Sequence, residues 1–507
     1  MPDGLPALSV QAAGGQDLNG GVPYGTSDIF FGRLEMNWDI TDDVTLTSVT
    51  GYLDQSAQDL EWYSYGGITP EGTSSGYGGG LTDHQLEQFT QELRIATHFD
   101  APINFMFGLF YESRKIEFNT NQYALNVVTL FGPDPLTGNT TDYFKTHHYD
   151  NEAFSIFGQL QWDITDRLEL SGGVRWTDET KVNVISVPYM HGFLESIGFV
   201  PSGFVGNPIT FKDSNLSPEL TFSYQVADDI SLYASYKTGF KSGGIDNSAL
   251  PSAGLLGLGS DDPEVVAETA AALIYDSETA EGGEIGAKMQ FANRTVTVNV
   301  SAYYYVFTDL QVQNFDAIAI QFATSNASEL TTKGFDVDFN WLTKIDGLSV
   351  FGALAYTNAK YTKPFNPELA TQDPDNDLLG RASARAPKWA GNIGADYRVP
   401  VGNGLELGFT GNMQFSGSYF TNDDTQDDHI QDSFVTFDLA ASIGSIDGGW
   451  QVAVIGRNVG DKRFVNTSGG RPFLLAPGNG NGLPGGDDQV FGLNTGRNIF
   501  LEASFRF

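Results

Sequence analysis

The feature that most constrains this chain is a strict alternation of apolar and polar residues in paired segments joined by very short turns. Between residues 153 and 165, Phe154, Ile156, Gly158, Leu160, Trp162 and Ile164 share one parity, and Ser155, Gln159, Gln161 and Asp163 share the other. Successive side chains of an extended chain point to opposite faces, so this segment is a strand with one oily side. After Thr165 and Asp166 the pattern resumes, with Leu168, Leu170, Gly172, Val174 and Trp176 set against Arg167, Glu169, Ser171, Gly173 and Arg175, which completes a hairpin. The same unit recurs over residues 28–52. There Phe30, Leu34, Met36, Trp38 and Ile40 lead through Thr41, Asp42 and Asp43 into Val44 and Leu46, and both hairpins contain the string WDITD.

Further hairpins are expected over residues 88–116, 218–240, 283–311, 332–361, 388–419 and 434–458, with a last single strand over 499–507. That makes about 17 strands of about 10 to 14 residues, separated alternately by tight turns and by long Gly-, Asp-, Asn-, Ser- and Tyr-rich loops, such as residues 53–87 and 464–496. Short turns at one rim and long loops at the other are the pattern of an antiparallel transmembrane β-barrel, with the turns periplasmic and the loops extracellular. One stretch inside a loop, residues 262–275, reads as a short helix.

Alternation alone does not say whether the oily face looks into a core or out to lipid. Barrel diameter decides it, because it grows with strand number, and about 17 strands enclose a lumen too wide for side chains to fill. The oily face therefore turns outward, and an outward apolar face on a sheet whose backbone groups are paired is stable in a bilayer. The inward parity agrees, carrying Arg33, Glu35, Glu92, Arg94, Glu169 and Arg175 among other charges of both signs. Trp38 and Trp162, each just before its turn, are placed as aromatic girdle residues at the rim. The competing all-β reading, a soluble propeller or sandwich array, calls for strands about half as long.

Composition supports this choice and narrows function. With 37 Phe, 21 Tyr and 59 Gly in 507 residues, the chain suits strands, turns and aromatic belts. No apolar run reaches the roughly 18 residues that a spanning helix needs. A net charge of -36 repels nucleic acid, and the absence of cysteine removes disulfides and thiolate metal sites. No catalytic constellation is present, and the segments GGG and GNGNG lack a following helix for phosphate, so no enzyme, cofactor or metal is expected.

The final segment, RNIFLEASFRF, places Ile499, Leu501, Ala503, Phe505 and Phe507 on one face, and its Phe505 and Phe507 resemble the terminal signature read by the outer-membrane barrel assembly machinery. Five further strings, QELRIAT, SLYASYKTGFKSGG, ETAEGGEIGAK, TTKGFDVDFNW and GRNVGDKRF, resemble in content and order the barrels of TonB-dependent outer-membrane receptors. The resemblance covers nearly the whole sequence. It implies a barrel of about 22 strands preceded by a plug domain and a TonB box. The start, MPDGLPALSVQAAGG, reads as neither secretory signal nor plug, so residues 1–27 are expected to be an unstructured or loop remnant. Residues 28–507 are then an incomplete barrel without a plug domain.

By that resemblance the protein is expected in the bacterial outer membrane, among lipid and lipopolysaccharide, as a receptor for TonB-dependent uptake of a scarce nutrient. An iron–siderophore complex comes first, with vitamin or oligosaccharide behind it, and TonB coupling depends on the plug. A passive porin-like channel is the alternative, in which the acidic balance would favour cations, and a barrel serving as an adhesin or scaffold ranks behind both. Ligand-binding candidates are Trp62, Tyr63, Tyr65, Tyr77, Tyr143, His147, His148 and Tyr149, because loops on a rigid scaffold present aromatics to bulky ligands. The same residues also suit loop packing, and the adjacent His147 and His148 lack the carboxylate partner expected of a metal site.

Overall fold

A computed structural model describes residues 24–62, 79–122, 127, 131–316, 321–326, 329–364, 377–423, 425, 427, 429–470 and 489–506. Alternating sequence becomes alternating sheet almost throughout. The first long strands are β1 (Tyr24–Thr41), β2 (Val44–Trp62), β3 (Gly79–Thr97), β4 (Ile103–Gln122), β5 (Tyr143–Thr165) and β6 (Leu168–Met190). They continue as β7 (Ile209–Ala227), β8 (Ile230–Lys241), β9 (Glu278–Phe291), β10 (Val296–Thr308), β11 (Glu329–Leu342) and β12 (Leu348–Tyr361). The series ends with β13 (Trp389–Gly402), β14 (Leu405–Ser416), β15 (Phe434–Ser445), β16 (Trp450–Arg457) and β17 (Asn498–Phe505). Together with the two-residue strand Phe204–Val205, which pairs with β6, they form one 18-stranded sheet in which each long strand lies antiparallel to the next.

The repeated string WDITD makes the same turn twice. In both hairpins the register slips at this point, between Asp39 and Thr41 and between Asp163 and Thr165. The threonine hydroxyl then accepts backbone N–H groups across the turn: Asp43 to Thr41 Oγ1 at 3.3 Å, Arg167 to Thr165 Oγ1 at 3.2 Å. At the turn between β13 and β14, Asn403 and Gly404 have φ of +53° and +72°, the left-handed pair that closes a two-residue hairpin without splaying its strands.

The two parities separate as expected. On β4, Ile103, Phe105, Phe107 and Tyr111 are exposed on the apolar face, as are Phe154, Ile156, Leu160, Trp162 and Ile164 on β5. Above Tyr111 and Phe154 this face turns polar, through Ser113, Lys115 and Glu117 on one strand and Glu152, Asp150 and His148 on the other. The apolar band is thus bordered on its loop side by Tyr111, Phe154 and Trp176, with Phe154 and Trp176 edge to face at 6.5 Å, and on its turn side by Trp162 paired with Ile103. Trp38 lies on the same outer parity of β1, 66% exposed. The strands are longer than the alternation indicates. β5 and β6 have 23 residues each, about 75 Å of extended chain against a hydrocarbon layer of about 30 Å. Backbone pairing continues beyond the apolar band because the ladder does not depend on which side chains it carries.

Inward charges are paired locally. Arg94 meets Glu92 at 3.2 Å, and Arg398 bridges Asp396 at 3.1 Å and Glu406 at 3.7 Å. Arg175 lies over the rings of Phe110 and Phe157 at 5.1 and 5.3 Å and donates to Ser155 Oγ at 2.9 Å. Among the described residues β1 pairs only with β2 and β17 only with β16. Both edges run toward the turn rim, so pairing them with each other would be parallel, whereas antiparallel completion takes an odd number of strands. Helix α1 (Pro263–Ala271) falls inside the expected loop helix, its first turn capped by Asp262.

Candidate functional site

At the loop end of the barrel a compact core is built on the inner parity of three strands. Tyr143 of β5, Ile185, Val187 and Met190 of β6, and Ile209 and Phe211 of β7 are buried there. Against them packs the connection between β8 and β9, residues 242–277, which we call the strap, through Ile245, Ala249, Leu250, Leu255, Leu258 and Leu273. An inward apolar run would be costly facing a watery lumen. Here it is covered by chain folded in from the loop rim.

Polar side chains of the wall tie the strap down. Lys145 Nζ, fully buried, donates to the carbonyls of Ala249 at 2.6 Å and Asn247 at 2.9 Å. Tyr149 donates its hydroxyl to Ile245 O at 3.1 Å, and Lys181 Nζ donates to Gly243 O at 2.6 Å and to Ser242. On the strap, Asp246 accepts the backbone N–H groups of Ser248 and of Thr324, each at 2.6 Å. Burial brings the Lys145 ammonium down to about 8 against the opposing pull of Asp246. Burial, followed by the charges of Tyr275 and Asp246, raises Tyr149 and keeps it protonated.

His147 lies between Lys145 and Tyr149 on the same face, fully buried. Its ring stacks on Tyr149 at 5.9 Å, and its Nδ1 is 3.0 Å from Asn183 Nδ2. Its Nε2 has no hydrogen-bond partner among the described residues. Burial first, then the Lys145 charge, holds it well below the ordinary imidazole value, against the Asn183 hydrogen bond, with His148 adding a smaller repulsion. His148 points the other way, its ring 3.7 Å from Glu117. The two histidines therefore cannot share a ligand, and no cluster of three metal-ligating side chains occurs among the described residues.

A neighbouring loop is fixed by Asp134, whose carboxylate accepts Leu136 N at 2.7 Å, Gly192 N at 2.9 Å and Thr137 N at 3.0 Å. Burial pushes this carboxyl up, but those N–H groups and His191 outweigh it and hold it below the usual range. Of the sequence candidates, Tyr143, His147 and Tyr149 thus meet under the strap. Trp62 ends β2, and Tyr63, Tyr65, Tyr77 and Phe507 lie outside the described residues. Sequence reasoning missed Lys145, Lys181, Asn183 and Asp246. The available signal was parity, since Lys145 shares its face with Tyr143, His147 and Tyr149.

An antiparallel wall with an outward apolar band, inward charges and loops folded into one mouth defines a β-barrel of the outer-membrane type. The family description "TonB dependent receptor-like, beta-barrel" matches residues 4–459, and the chain belongs to that family. It is similar to a pesticin receptor of Yersinia enterocolitica, 26% identical over 260 residues, a match covering 50% of this chain and 31% of the relative. In fold it is similar to the ferric yersiniabactin uptake receptor of Yersinia pestis (TM-score 0.70, 17% identity), over 96% of this chain and 62% of that one. The siderophore receptor of Acinetobacter baumannii gives a TM-score of 0.65 at 15% identity, over 95% and 64%. The matches thus span less than two thirds of these proteins' own lengths.

Proposed function

We propose that this chain is the wall of an outer-membrane receptor for TonB-dependent uptake of a scarce nutrient, with an iron–siderophore complex as the first candidate ligand. The observation that carries this reading is the strap core, chain folded inward from the loop rim and fixed against the inner wall. A receptor uses loops held on a rigid rim to enclose a ligand, and here Lys145, Tyr149 and Lys181 fix such a loop to the wall. The names of the pesticin, yersiniabactin and siderophore receptors support the ligand class. In this reading the loop rim is extracellular and the turn rim periplasmic. Lipid and lipopolysaccharide contact the apolar band, and the barrel assembly machinery handles the terminal strand.

Among the described residues the outer edges of β1 and β17 carry no partner strand, and a membrane wall needs such edges paired, since unpaired backbone groups are costly in hydrocarbon. TonB coupling rests on a plug with a TonB box. The test is uptake by cells carrying the complete protein as their sole receptor, across ferric chelates, cobalamin and oligosaccharides, with and without a functional TonB complex. Uptake that requires TonB supports the receptor. Uptake independent of TonB and proportional to concentration replaces it with the passive channel.

A further inference from the structure

The wall residues that hold the strap have a property that uptake does not explain: a buried imidazole stands next to the buried ammonium that makes the main contact. We propose that the strap is an acid-released latch, with His147 as the group whose protonation opens it. This rests on the strap geometry and not on the receptor reading.

Three observations meet at this point. The strap is joined to the wall by Lys145, Tyr149 and Lys181 through its own carbonyls, so docking depends on a few donors on the inner face. His147 is fully buried among those donors, and its Nε2 meets no acceptor among the described residues. A second positive charge there would face the Lys145 ammonium without solvent between them.

The titratable groups around His147 are known from each element packed against it. Its own strand supplies Lys145, Tyr149 and, on the opposite face, His148 with its neighbour Glu117. β6 supplies Asn183, which does not titrate, with Lys181 as the next inward residue. The strap side supplies Asp246 and Tyr275, both facing Tyr149, with Asp246 also facing Lys145. On β4 and β3 the contact is aromatic, through Phe118 to His84. Asp246 is already committed to Ser248 and Thr324.

The sign follows. While the strap is docked, His147 resists protonation, and once it is released, water restores the ring's ordinary value of 6.5. Below pH 6.5 the released state therefore binds a proton that the docked state refuses, and the ratio of docked to released falls by up to about tenfold per pH unit. Lys145, lowered to about 8, shifts the balance in the same direction between pH 10.5 and 8 and adds no slope below that. Acid release therefore belongs to His147.

The chain has no cysteine, so two introduced ones report cleanly. Spin labels at Leu256→Cys on the strap and Glu152→Cys on the outer face of β5 give the strap–wall distance in the complete protein in liposomes. We expect one distance at pH 8 and a longer, broader population growing below pH 6.5. His147→Gln should stay docked at pH 5, and His148→Gln should behave as the parent. A distance unchanged down to pH 5, or opening of His147→Gln at the parental pH, overturns the proposal. Should His147→Gln fail to assemble, C2-proton exchange of the histidines by mass spectrometry decides, and a His147 midpoint at or above 6.5 in the docked protein overturns it.

Discussion

The ring of Tyr233 lies on the inner face directly over Gly286 of the next strand, so closely that a Cβ at 286 would stand 2.4 Å from the ring. The glycine is the socket and the tyrosine fills it, covering backbone that would otherwise be bare. The same fit recurs where Phe157 covers Gly108 and Phe351 covers Gly394. Tyr233 also donates to Glu284, and Lys288 lies over its ring at 5.9 Å. Gly286→Ala should displace the ring and break this contact set, at about 1–3 kcal/mol for overpacking. Urea unfolding in lipid vesicles measures it. In Tyr233→Ala the added methyl should cost far less, because the two changes share one space.

The docking of the strap gives a separate test. Lys145→Met leaves the carbonyls of Asn247 and Ala249 without their donor, a loss of about 1–3 kcal/mol borne by the strap alone. Limited proteolysis should then cut within residues 242–277 while the unfolding midpoint of the barrel stays put. The pH dependence has a definite sign. Because Lys145 is lowered from 10.5 to about 8 when docked, the released state binds more protons between those values, so docking strengthens as pH rises from 8 to 10.5. That slope should vanish in Lys145→Met.

How much of this was legible in the sequence differs between wall and mouth. The wall was, because a period of two is a local property: Phe154 to Ile164 announce their face without knowledge of any partner, and WDITD predicts its own turn. The mouth was not. Lys145 meets Asn247, 102 residues away, and an inward lysine of the latch looks the same in sequence as an inward lysine of the lumen. Tyr143 is part of the strap core, Tyr149 packs against it and His147 is buried beside it, while His148 faces outward.

The terminal strand carries a prediction for assembly. Phe505 lies on the outer parity beside Trp450, 66% exposed, and β17 has no partner on its far side among the described residues. An aspartate at 505 puts a charge in the apolar band of an edge strand, where little else holds the strand in place. Phe505→Asp should reduce the fraction that reaches the membrane in folded form. Migration of unheated against heated samples in gel electrophoresis gives that fraction, and an unchanged ratio would show that this ring does not guide insertion.

The orientation of the whole wall reduces to two adjacent residues of β5. Leu160 is 46% exposed on the apolar parity, within the band bordered by Phe154 and Trp162. Gln159 faces inward and donates to Ser171 Oγ at 2.8 Å. If the apolar parity meets acyl chains, Leu160→Arg places a guanidinium in hydrocarbon and costs about 2–4 kcal/mol. Gln159→Arg exchanges one exposed polar contact for a charge in a hydrated lumen already lined with both signs, and should cost under about 1 kcal/mol. Urea titrations of both variants in the same lipid compare the two faces directly. Equal losses, or the larger loss at 159, would mean that the oily face looks inward, and a membrane barrel could not be the right description of the chain.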